Sequence, residues 1–135
     1  MKVHHLGIVV SDLDEALLAL NLGRDDVRET VYDPVQKNNL HFIYLPENSM
    51  WLELVEPVAA DASTANFAKK FSIGLHHLGM SSDNLEDIES AYTERPANFV
   101  LGKYDINVQS FGGDIRTLFI AVKGLILEFV HQAGK

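Results

Sequence analysis

Four side chains of metal-ligating type stand at matching positions in two parts of this chain: His5 and His77, Glu53 and Glu128. Shifting the sequence against itself by 72 positions lays Val3–Leu13 on Leu75–Leu85 and keeps the string HHLG intact. A shift of 75 lays Trp51–Val55 on Ile126–Val130, and Phe42–Leu45 on Thr117–Ile120. One histidine or glutamate on a strand is usually a satisfied structural residue. A duplicated pair of each, all of one parity, is hard to obtain from packing requirements alone. Two imidazoles and two carboxylates converging from repeat-related strands can bind a divalent cation and leave positions for water or substrate. An ion so held polarises a carbonyl, and a neighbouring carboxylate then takes a proton from the adjacent carbon.

The elements that must position these four residues follow from the same repeat. The chain reads as a single domain, 1–135, made of repeat one (1–58), a linker (59–74) and repeat two (75–135). Each repeat opens with apolar alternation. Then come Ser11-Asp12 with Asp14 and Glu15, or Ser82-Asp83 with Glu86, which read as capping residues with carboxylates in a first helical turn. Helices are predicted over Leu13–Leu20 and Leu85–Thr93. β-rich segments follow, punctuated by Asn38-Asn39, Pro46-Glu47-Asn48, Gly112-Gly113 and Lys123-Gly124. The grammar is βαβββ, twice, with a short linking helix over Asp61–Phe71.

Residues two apart on a strand share a face. Leu6, Ile8 and Val10 then face the first helix, as do Leu52 and Leu54; Leu78, Met80, Leu127 and Phe129 face the second. His5, Glu53, His77 and Glu128 fall on the other side, and Gly7 and Gly79 leave room beside the imidazoles. By parity His4, His76 and His131 lie on the helix side or at strand ends and read as ordinary polar residues, as does His41. The predicted fold is α+β: the two repeats build a curved mixed sheet, an eight-stranded cup, with helices on its outer face.

Composition narrows the function classes. A formal charge of −8, from 11 basic and 19 acidic residues, argues against nucleic acid and anionic lipid as partners. The absence of cysteine excludes disulfides, thiolate ligands and a thiol nucleophile. The apolar runs, Leu118–Val122 among the longest, are too short to span a bilayer, and the first residues have no apolar signal core, so a cytoplasmic protein is expected.

The strings VHHLGIVVSDLDEAL, WLELVEP, GLHHLGMSSDNLEDIESAY and LILEFV resemble the vicinal oxygen chelate superfamily, which includes glyoxalase I, methylmalonyl-CoA epimerase, the extradiol dioxygenases and the bleomycin-resistance proteins. The similarity is greatest to the glyoxalase and epimerase branch. It implies metal ligands at His5, Glu53, His77 and Glu128, the set that parity selects. It implies one divalent ion (Ni, Co, Zn, Mn or Fe) and a 1,2-proton shift of the glyoxalase I type on a thiol hemithioacetal, with Glu128 as base and Glu53 as its partner. A homodimer is expected by the same resemblance. The alternatives are a methylmalonyl-CoA epimerase-like enzyme acting on an acyl thioester, and a metal-free protein that sequesters a small molecule such as an antibiotic. Epimerases of the family carry a further glutamate on the strand before the first closing strand, where this chain has His41 or Phe42. Gln109, Ser110, Arg116 and the Gly112-Gly113 turn are candidates for contact with a substrate tail; a hairpin turn and a solvated arginine are the plainer expectation. The first helix is shorter than the family's and lacks its aromatic pair.

Overall fold

The computed structural model describes residues 1–132. It contains eight strands and three helices, an α+β architecture: β1 (Lys2–Val10), α1 (Leu13–Ala19), β2 (Glu29–Asp33), β3 (Asn38–Leu45), β4 (Met50–Pro57), α2 (Ala65–Lys70), β5 (Ile73–Ser81), α3 (Leu85–Thr93), β6 (Asn98–Val108), β7 (Gly113–Val122) and β8 (Leu125–Gln132). The predicted βαβββ grammar appears in both repeats. The described residues fold into two compact units, residues 6–76, and residues 1–5 together with 77–132. β1 and β5 each run through both.

In the unit of residues 6–76 the strand order is β2-β3-β4-β1, with β2, β3 and β4 an antiparallel meander. Its core joins Val10, Leu13, Ala16, Leu17, Ile43 and Leu54, with Ile8 and Leu52 packed against them. These are the β1 and β4 positions that parity assigned to the helix face. Asp12 begins α1: its backbone is extended and its carboxylate accepts from the Glu15 N–H at 2.9 Å. The helix ends at Ala19, one residue short of the predicted limit, because Leu20 caps it and Asn21 turns into the left-handed region at φ 58°. The linking helix is also shorter than predicted, since Ser63 spends its N–H on the Gln36 carbonyl.

In the other unit the order is β5-β8-β7-β6. β5 and β8 are parallel, while β8, β7 and β6 are antiparallel. Met80, Leu85, Leu118, Ile120, Leu127 and Phe129 form its core, joined by Leu78, Ile88 and Tyr92. Leu85, Ile88 and Tyr92 recur at three and seven residues, one face of a helix, and α3 spans Leu85–Thr93 as predicted. Its cap is Asn84, not the Ser82-Asp83 pair: the Asn84 side chain accepts from the Asp87 N–H at 3.0 Å, and Ser82 accepts from the Asn84 N–H. Among the described residues no helix is long and apolar enough to cross a membrane.

Candidate metal centre

Three of the four residues singled out by the repeat meet in the second unit. His5 stands on β1, His77 on β5 and Glu128 on β8, where the parallel register sets Glu128 beside Gly79. All three are buried, His5 to 1% exposure. His5 Nε2 lies 2.9 Å from Glu128 Oε1, His77 Nε2 lies 3.0 Å from the same oxygen, and the two nitrogens are 3.1 Å apart. A side chain at Gly79 would place its Cβ inside the His5 ring, so the absence of one there admits the imidazole. The Phe119 ring stands edge-on to His77 at 5.6 Å and is in register with Glu128, backing the group with apolar surface.

Burial pushes the Glu128 carboxyl up, and the two imidazoles more than reverse this. The charge of His5 and hydrogen bonds from His5 and His77 hold it well below the usual carboxylate range. Glu128 is therefore an anion in a dry site, and such an anion is costly unless it is paired.

The three donor atoms fit a divalent cation. They form a triangle with sides of 2.9, 3.0 and 3.1 Å. Ligand atoms about 2.1 Å from an octahedral ion are about 3.0 Å apart at right angles, whereas a tetrahedral ion spreads them to about 3.4 Å. Protons alone serve the triangle poorly: each ring can direct an N–H at Glu128 Oε1, and the two nitrogens are then left 3.1 Å apart as donor facing donor. A cation uses all three lone pairs. Glu53 belongs to the unit of residues 6–76, on β4. It is buried, opposite Phe42 in the β3–β4 register and flanked by the core residue Leu54.

Residues 4–113 match the model of the Glyoxalase/Bleomycin resistance protein/Dioxygenase superfamily. The chain belongs to this superfamily. Among solved structures it is similar to a methylmalonyl-CoA epimerase in complex with methylmalonyl-CoA and NH4+ (TM-score 0.78, 20% identity, covering 98% of this chain and 95% of that one). It is also similar to a variant of the Streptomyces coelicolor methylmalonyl-CoA epimerase in complex with 2-nitronate-propionyl-CoA (0.78, 20%, 99% and 96%). A third similar structure is the Mycobacterium tuberculosis methylmalonyl-CoA epimerase (0.78, 19%, 98% and 88%). No curated protein matches the sequence significantly. At this identity the structural likeness is one of fold.

Within this superfamily member, several residues differ from their sequence reading. His4 is no ordinary polar residue: it is buried, and its Nδ1 lies 2.8 Å from Nδ1 of His5. Parity gave no sign of this contact, because it compares faces and not neighbours in sequence, whose δ nitrogens lie close to the backbone. Glu29 on β2 was missed because its cross-strand neighbours depend on the β2–β3 register. The register aligns Glu29 with Phe42 and Phe42 with Glu53, so the three form one row across β2, β3 and β4. His41 is buried and hydrogen-bonded to Thr30 and Glu56, whose other oxygen accepts from the Leu13 N–H at the start of α1. His131 bonds the Ser82 carbonyl as a structural residue.

Arg116 pairs with Glu86 in solvent, in line with its plainer reading. Gln109 and Ser110 lie in a short turn that Gly112 closes at φ 89°. Trp51 and Tyr44 pack ring against ring at 4.9 Å.

Proposed function

We propose that this chain is a divalent-metal-dependent isomerase that moves a proton on the carbon next to the carbonyl of an acyl thioester, in the manner of a methylmalonyl-CoA epimerase. His5, His77 and Glu128 would hold the ion, and Glu53 is assigned as the fourth ligand on its repeat equivalence to Glu128 and its burial. Three ligands on one face of an octahedron, with a fourth added, leave two positions, enough for two neighbouring substrate oxygens. When bound, the ion supplies positive charge that stabilises a carbonyl oxygen as the adjacent C–H is lost.

The observation that carries the epimerase reading over the glyoxalase one is Glu29. Inverting a carbon requires one group to take a proton from one side and another to return a proton on the opposite side. The sequence offered no second base at Phe42. The register supplies a carboxylate at Glu29, one strand beyond Phe42 and about 10 Å from Glu53 between backbones. Glu128 is assigned as one base and Glu29 as the other. Phe42 stands between Glu29 and Glu53 in the row, with Trp51 edge-on to its ring at 6.4 Å, and this apolar surface would exclude water from the reacting carbon. In the glyoxalase-type reaction Glu128 and Glu53 would suffice.

The test is proton exchange. Metal-loaded protein is incubated in D2O with single epimers of methylmalonyl-CoA and followed by NMR. Wild type should wash deuterium into the α position and interconvert the epimers, while Glu29→Gln should exchange the hydrogen of one epimer and fail to interconvert them. Interconversion by Glu29→Gln at the wild-type rate would remove Glu29 from the mechanism. No exchange by wild type, with conversion of the methylglyoxal–thiol hemithioacetal to a lactoyl thioester, would return the chain to the glyoxalase type.

A further inference from the structure

Four rings stand in sequence, leading into the candidate metal site. Phe111 meets His4 edge-to-face at 4.5 Å and 82°, His4 meets His5 at 5.1 Å and 87°, and His5 meets His77 at 5.1 Å and 81°. Phe111 and His5 are almost fully buried, and His4 is exposed by only 9%. The link between the two histidines is a hydrogen bond between their δ nitrogens, 2.8 Å long. Such a bond holds a single proton, carried by one nitrogen and accepted by the other.

From this geometry we infer that His4 is a positioning residue that sets the tautomer and the ring orientation of His5. The inference rests on the metal reading above. His5 offers Nε2 to the site, since that atom faces His77 and Glu128. A lone pair at Nε2 requires the His5 proton to be on Nδ1, and Nδ1–H then donates to Nδ1 of His4. His4 must in turn keep its own proton on Nε2. A metal-ligating histidine generally donates its other N–H to a carboxylate, carbonyl or water; here the acceptor is the ring of the preceding residue. Phe111 fixes the His4 ring from one side, and the missing Cβ at Gly79 gives the His5 ring its slot on the other. His5 is thus held at both ends by residues that never touch the ion.

The test compares three proteins. In asparagine Oδ1 occupies the place of a histidine Nδ1, so His4→Asn keeps an acceptor at the right position. His4→Leu keeps bulk and offers none. Zn2+ and Co2+ affinity is measured by calorimetry, and the 15N imidazole spectrum of Zn2+-loaded protein reads the tautomers directly. Wild type should show His5 protonated at Nδ1 and His4 at Nε2. His4→Leu should bind either ion about 10- to 100-fold more weakly, the usual cost of removing such a support, and His4→Asn should recover most of the loss. A wild-type spectrum with the His5 proton on Nε2, or a folded His4→Leu that binds within about threefold of wild type, would overturn the inference. If His4→Leu does not fold, the wild-type spectrum and the His4→Asn affinity still decide. Wild type that binds neither ion would instead refute the metal reading itself, a result distinct from the two above.

Discussion

Gly79→Ala is the smallest change that tests how the site is built. The added Cβ would fall within the His5 imidazole, closest to Cε1, Nδ1 and Nε2, well inside any distance that real Cβ atoms tolerate. To restore ordinary contact at about 3.5 Å the ring must retreat by more than about 1 Å. It has nowhere to go: His5 is 1% exposed and wedged between His4 and His77. Overpacking of this kind costs about 1–3 kcal/mol. For a chain of 135 residues each kcal/mol moves the melting temperature by about 3–5 °C, so a loss of about 3–15 °C is expected. The same displacement takes Nε2 out of the triangle, and ion affinity should fall by at least about tenfold. Gly124→Ala is the matched control: its Cβ would meet nothing within 4 Å, and it should leave both quantities unchanged. Thermal melts with and without ion, beside calorimetric titration, read both effects. A Gly79→Ala protein that melts and binds like wild type would refute the placement of His5.

Asp12→Ala removes the cap of α1 and should cost about 1 kcal/mol in urea unfolding, with no change in ion affinity. Glu128 is held below its unfolded value of 4.5, so below that pH the unfolded chain binds more protons than the folded one. Ion-free protein should therefore lose stability as pH falls through and below 4.5, and Glu128→Gln should flatten this dependence in urea midpoints measured across the acid range. Arg116→Ala breaks an ion pair whose side chains are 54% and 68% exposed, and should leave the melting temperature unmoved.

Strand periodicity made the candidate metal ligands legible. The period of two separates Ile8, Val10, Leu52 and Leu54 from His5 and Glu53, and Met80, Leu127 and Phe129 from His77 and Glu128; each apolar set packs on its own helix cluster. What periodicity conceals is contact between neighbours in sequence. His4 belongs by parity to the opposite face, yet its δ nitrogen bonds that of His5. Glu29 was illegible for another reason: its place beside Phe42 depends on the β2–β3 register, and the turn that sets it runs through Lys37 at φ 60°, just before the Asn38-Asn39 pair that the sequence marks as a turn and that in fact opens β3. The limits of α3 were legible but its cap was not, because Ser82, Asp83 and Asn84 are all good caps, and only the extended backbone at Asn84 decides among them.

Titration of ion-stripped protein with Ni2+, Co2+ and Mn2+ by calorimetry, beside His77→Ala and Glu128→Gln, tests the central claim most directly. Wild type should bind one ion per chain, and either variant should bind it at least about tenfold more weakly. No binding by wild type, or binding that both variants leave intact, would contradict it.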